Sequence, residues 1–211
     1  ATAKHEGKHV ALIEKVQERL FSIMVFPFLI LGIFGDILFS FVFGSEWTTA
    51  GVFSQFLVFG MFSSIFFTTT YPIIIIMEKQ ELIPLYKSLS AILLPMSFFI
   101  GGYYNNIYLA LFIYSTLQFL FISTLGLYVL RIIGISITKL FKKIIYYVFI
   151  CIILIVVLLF ANYWTNSSLL PLFVVIGLCT VIYYLLVLYH DAYLRTILIN
   201  SINTFNFIKK N

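Results

Sequence analysis

At 211 residues the chain has the length of one soluble domain, but 62% of it is hydrophobic and only 10% charged, against roughly 45–50% and roughly 25% in soluble domains. With a mean hydropathy of +1.09, that composition excludes a water-soluble globule and a disordered chain. The two cysteines, Cys151 and Cys179, stand inside apolar runs and read as buried thiols. The net charge of +5 does not make a nucleic-acid surface, because the cations sit at the ends of apolar segments instead of clustering on a soluble domain.

Residues 1–20 lack the apolar core of a signal peptide. From Glu6 to Leu20 they read as an amphipathic helix, with Val10, Ile13, Val16, Gln17 and Leu20 near one face. This leader, residues 1–20, is expected to lie in the membrane interface on the cytoplasmic side. Six apolar runs then follow: Phe21–Phe43, Val52–Met77, Leu82–Tyr103, Ile107–Leu130, Ile144–Trp164 and Leu169–His190. Each has about the 20 residues that a helix needs to cross the hydrocarbon. Membrane β-strands are about half that length and alternate in polarity. The predicted fold is therefore all-α, a polytopic transmembrane bundle of six spans within residues 21–190. Residues 132–143 read as a second surface connector, and 191–211 as a cytoplasmic tail.

Orientation follows from the cations. Lys4, Lys8, Lys15 and Arg19 precede the first run, and Lys79 and Lys87 lie at or just beyond the second connection. Arg131, Lys139, Lys142 and Lys143 lie in the fourth connection, and Arg195, Lys209 and Lys210 in the tail. With six spans all 13 cations fall on one side, which the positive-inside rule makes cytoplasmic, with both ends there. Trp47, Tyr103, Tyr104 and Trp164 fall at the opposite boundary, where aromatic anchors sit.

A few residues break the apolar pattern. Asp36 is the acid well inside a span, between Gly35 and Ile37. It reads as a proton, cation or substrate contact facing water, or as a hydrated acid near the outer boundary. Lys87 is one to two turns inside the third span, and reads as a snorkelling lysine or as a cation meeting an anionic head group. Pro84 and Pro95 flank it, a pattern expected to bend that helix. The second span carries Gln55, Ser63, Ser64 and the run Thr68, Thr69, Thr70. Its Gly60, Ser64 and Thr68, four apart, form a small-residue packing row. Gln55, Thr69 and Gln118 of the fourth span serve either packing or a polar pathway. Catalytic motifs, metal-ligand clusters and paired acids of the DxD type are absent from the sequence, so no enzyme and no cofactor is expected.

The basic leader, the first span with its early Pro27, the outer segment Phe43-Gly44-x-x-Trp47-x-x-Ala50, the charged turn at 77–81 and the pair of spans meeting at Gly101 and Gly102 together resemble a known pattern. It is that of the C-terminal part of polysaccharide repeat-unit flippases, in the multidrug/oligosaccharidyl-lipid/polysaccharide exporter superfamily. The resemblance covers roughly residues 4–135. The turn at Tyr103-Tyr104-Asn105-Asn106 is bulkier than in relatives. The resemblance implies one lobe of a two-lobed transporter in the cell membrane, preceded by an N-terminal lobe of the same protein. Its substrate would be a lipid-linked oligosaccharide, moved to the outer leaflet by alternating access for capsule or lipopolysaccharide export. The rival readings are a drug or cation exporter of the same superfamily, a membrane polysaccharide polymerase or other glycosyl-transfer enzyme, and a non-transporting scaffold. A polymerase needs a large outer loop, and the longest outer connection is GSEWTTAG, residues 44–51.

The one-sided cations give a topology test. In a background lacking Cys151 and Cys179, cysteines at Ser45, Asn105 and Asn166 are expected to react with an impermeant thiol reagent from outside. Cysteines at Gln80 and Thr138 are expected to stay unlabelled until the membrane is opened, and labelling of Gln80 in intact cells would overturn the six-span orientation.

Overall fold

The computed structural model describes residues 2–164, 169–196 and 200. Side chains are described from residue 12 onward, apart from residues 66, 69, 139, 169 and 170. The connection at 165–168, with Asn166, and most of the tail lie outside the described residues. The described chain is helical: α1 Thr2–Phe43, a 3₁₀ turn Ser45–Trp47, α2 Thr48–Ile76, α3 Leu82–Tyr103, α4 Ile107–Ile132, α5 Ile137–Trp164 and α6 Leu169–His190. All six α-helices are long and apolar enough to cross a membrane, the architecture of a multi-pass membrane protein.

Two connections differ from the sequence reading. The leader runs into the first span without a break at residue 20, and the one departure from helical angles within Thr2–Phe43 comes later, at Phe34. At about 1.5 Å per residue α1 is roughly 60 Å long, twice the hydrocarbon thickness. Likewise residues 137–143 are the first turns of α5, not a separate connector. The two extensions meet: Lys143 Nζ forms an ion pair with Glu18. An exposed pair of this kind contributes about 0–1 kcal/mol. On α1, Gln17 and Phe21 turn inward with Ile13 and Leu20, whereas Val16 is exposed.

The chain divides into two compact units, residues 1–147 and 148–211. In the first, α1 packs on α2, α2 on α4, and α4 on α3. Its core gathers Phe21, Ile65, Tyr86, Ile122, Leu130, Ile135 and Leu140. Tyr86 of α3 lies between two rings, stacked 4.7 Å from Phe67 and 5.6 Å from Phe121. In the second unit, α6 buries Leu172, Ile176, Cys179, Tyr183 and Val187, spaced three or four apart along one helical face. The α5 segment there buries Cys151, Leu154, Ile155 and Leu158. Both cysteines are free and buried.

The turns follow from their residues. Gly44 ends α1 at φ 99, and its N–H donates to Ser40 O at 3.0 Å. The chain then folds back so that the Trp47 ring lies 5.6 Å from Phe43. Asn106 caps α4, its side-chain oxygen accepting from the Leu109 N–H at 3.1 Å. The bulky residues before it do not keep α3 and α4 apart, because a Cβ on Gly101 would lie only 2.4 Å from that of Ala110. Gly134, at φ 79, closes α4, and the Ile135 N–H returns to Leu130 O.

The tightest contact is between α1 and α2. A Cβ on Gly51 would lie 2.3 Å from Gly35 O and 2.6 Å from Asp36 Cα, a separation that only a bare glycine tolerates. Gly51→Ala is therefore expected to lower thermal stability in detergent by about 1–3 kcal/mol through overpacking. Gly177→Ala in α6, where an added Cβ meets nothing, is expected to be neutral or stabilising by up to ~1 kcal/mol. Equal melting behaviour of the two variants would contradict the close crossing.

Candidate functional site

The crossing of α1 and α2 brings together two of the sequence-predicted residues. Gln55 Nε2 donates to Asp36 Oδ1 at 2.9 Å and to Ile33 O at 3.1 Å. Phe34, between those two acceptors, has non-helical angles (φ −116, ψ 20), so α1 is interrupted there. This is where the bend lies: Pro27 stands two turns away, and α3 runs unbroken from Leu82 to Tyr103 with Pro84 and Pro95 inside it. Pro84 is in the first turn, where a missing N–H costs little. The Gln55 amide supplies a donor to a carbonyl beside the interruption, the kind of replacement that a broken helix needs in hydrocarbon.

Sequence and packing explain the register. Gly35 and Gly51 set the depth of approach, and Gln55 is one turn beyond Gly51 on α2, which brings its amide level with Asp36. Ser54 adds no contact to the carboxylate; its hydroxyl donates to Gly51 O at 2.6 Å. Among the described residues no cation pairs with Asp36, so Gln55 is its neutral partner. The carboxylate is half-buried and keeps further acceptor capacity. Chemically, such a group can bind a cation or accept from a hydroxyl-bearing substrate.

Gln118 lies elsewhere, at the crossing of α2 and α4. There the Gly60 N–H donates to Ser115 Oγ at 2.9 Å, and the space a Cβ on Gly60 would occupy borders Ser115 and Gln118. Gln118 Oε1 is buried without a hydrogen-bond partner among the described residues. Lys87 is exposed on α3 and joins neither group. The side chain of Thr69 is outside the described residues. The row Gly60, Ser64, Thr68 packs only at its first member: Ser63 is buried, while Ser64 and Thr68 are exposed. The physical reason is that four residues turn a helix by about 40° more than one revolution, so the row winds off the contact.

Sequence reasoning missed Gly51 and Ser115. The apolar run that begins at Val52 leaves Gly51 in a connection, whereas α2 starts at Thr48. Its spacing of four from Gln55 was the available signal. Among the described residues no three His, Cys, Asp or Glu side chains form a metal-binding group. No family model, no curated protein and no solved structure matches the chain.

The unpaired oxygen of Gln118 generates a separate expectation. Gln118→Leu removes a buried acceptor without a partner, so stability should stay level or rise by about 1 kcal/mol, measured as the thermal midpoint in detergent. A loss of 2 kcal/mol or more, on the order of a buried bond broken, would mean that the amide oxygen is held by an ordered partner.

Proposed function

We propose that the protein is a membrane transporter whose site is centred on Asp36 and Gln55. The observation that carries this reading is an acid with a neutral amide partner at an interrupted helix inside a span. Transporters concentrate polar groups at such interruptions, because bent helices can line a hydrated path and shift between two arrangements. The cargo proposed is a lipid-linked oligosaccharide, whose sugar head crosses through the polar region while its lipid tail stays in the bilayer. This chain would form one lobe, working against an N-terminal lobe in the cell membrane, and catalysing no covalent step. The resemblance of residues 4–135 to repeat-unit flippases supports that choice of cargo. The Phe43-Gly44-x-x-Trp47 segment adds less weight, since the turn geometry alone accounts for Gly44 and Trp47.

A second reading has its own observation. Asp36 has no cationic partner among the described residues, and an intramembrane acid left with a neutral donor suits a drug or cation exporter equally.

Asp36→Asn separates them in the full-length protein at matched membrane levels. Loss of polysaccharide export by about tenfold or more, equivalent to a charge-assisted contact of ~1.5 kcal/mol, is expected for the flippase. Loss of lipophilic-cation efflux with intact polysaccharide export would select the second reading, and no change in either would overturn both. Lys87→Gln is expected to leave export within about twofold, because an exposed lysine at a helix end acts through its stem and its charge at the interface.

A further inference from the structure

The contact of α3 with α4 holds a different feature. Between the close contact at Gly101 and Ala110 and the ring stack of Tyr86, α3 and α4 leave an open groove of about 370 Å³. Leu89 and Leu93 of α3 and Leu117, Leu120, Phe121 and Thr124 of α4 line it. The one hydroxyl among them is spent on its own helix, Thr124 Oγ1 donating to Leu120 O at 2.7 Å. The groove is therefore apolar throughout.

It also leads to a cation. Leu117, Thr124 and Arg131 are seven residues apart, so they fall nearly in line along α4, and all three are exposed. Tyr128, 51% exposed, lies on the same side between groove and guanidinium. Arg131 has no ion-pair partner among the described residues. Nor is it needed to cap α4, since the carbonyls of Val129, Leu130 and Arg131 already accept from Ile133, Ile135 and Gly134.

Distances match one leaflet. Thr124 stands about 10 Å, and Leu117 about 20 Å, from Arg131 along the helix axis, while one leaflet contributes about 15 Å of hydrocarbon. We propose that the α3–α4 groove with Arg131 is a binding site for an anionic phospholipid of the leaflet on the cation-bearing side. The acyl chain lies over Leu93 and Leu120, and the phosphate meets the Arg131 guanidinium, whose fork of donors matches its oxygens. The carrier of specificity is the charge at the end of the groove, because the apolar part accepts any acyl chain. This assignment is independent of transport and of what Asp36 does.

The test uses the full chain released from nanodiscs that contain phosphatidylglycerol and phosphatidylcholine with identical chains, and reads retained lipid by native mass spectrometry. Wild type is expected to retain phosphatidylglycerol about fivefold over phosphatidylcholine, the worth of one cation near a membrane surface. Arg131→Gln is expected to erase that preference, and Leu120→Trp to reduce retention of both lipids. Since Leu120→Trp can fail to fold, wild-type protein is also photolabelled with phosphatidylglycerol bearing a diazirine on its acyl chain. Adducts are expected on Leu89–Leu93 and Leu117–Thr124 above the other exposed helix faces. Four results would each overturn the site: equal retention of the two lipids, an unchanged preference in Arg131→Gln, uniform labelling of all exposed faces, or a dimer cross-linked through cysteine at Leu93.

Discussion

The close crossing of α1 and α2 at Gly35 and Gly51 is the contact on which the rest of the candidate site depends. Lipid offers helices no hydrophobic drive toward each other, so association rests on close packing and interhelical hydrogen bonds. With the two backbones this near, a side chain one turn along α2 reaches past its own helix to the carbonyl of Ile33 and to Asp36. A Cβ at either glycine would push α2 away, and both bonds from Gln55 would lengthen together. The interruption at Phe34 is tolerable for the same reason, because a donor stands ready beside it.

Among the described residues, the hydrogen bonds made by polar side chains in the spans include two kinds. Most serve their own helix: the hydroxyls of Ser22, Ser54, Ser63, Ser97, Thr124 and Thr180 each donate to a carbonyl three or four residues back. Such a bond satisfies the hydroxyl in hydrocarbon without linking helices, and it leaves the residue little to offer a substrate. Gln55 to Asp36 and Gly60 to Ser115 are of the other kind, joining different helices. Only the first includes an ionisable group. Composition cannot separate these kinds, since a serine spent on its own backbone and a serine across an interface look alike in sequence.

The six membrane-length helices were legible because apolar length needs no tertiary context. Where connections were misread, polarity was mistaken for a break: the leader and residues 137–143 are polar turns of continuous helices. Asp36 and Gln55 were each visible as exceptions, but their pairing was not. They are 19 residues apart on separate helices, and the rotation that aligns them is set by Gly51, which polarity alone assigned to a loop. The prolines point to a bend in α3, but Pro84 in the first turn has no helical bond to lose, and the helix continues through Pro95 to Tyr103. Gly32 and Gly35 weaken the helix around Phe34, but two glycines in an apolar span read equally as close-packing positions.

A neutral partner for Asp36 bears on what the site can do. Had a lysine or arginine faced it inside the span, the pair would hold its charges together, and separating them would leave an uncompensated ion in low dielectric. Such a pair suits a permanent strut. An amide instead donates to the carboxylate without cancelling its charge, so Asp36 keeps Gln55 as neighbour and still has acceptor capacity for another donor. Gln55 also donates to Ile33 O beside the interruption, so a displacement of its amide at Asp36 changes that bond too. The carboxylate and the backbone of α1 beside the interruption are thereby joined through a single side chain.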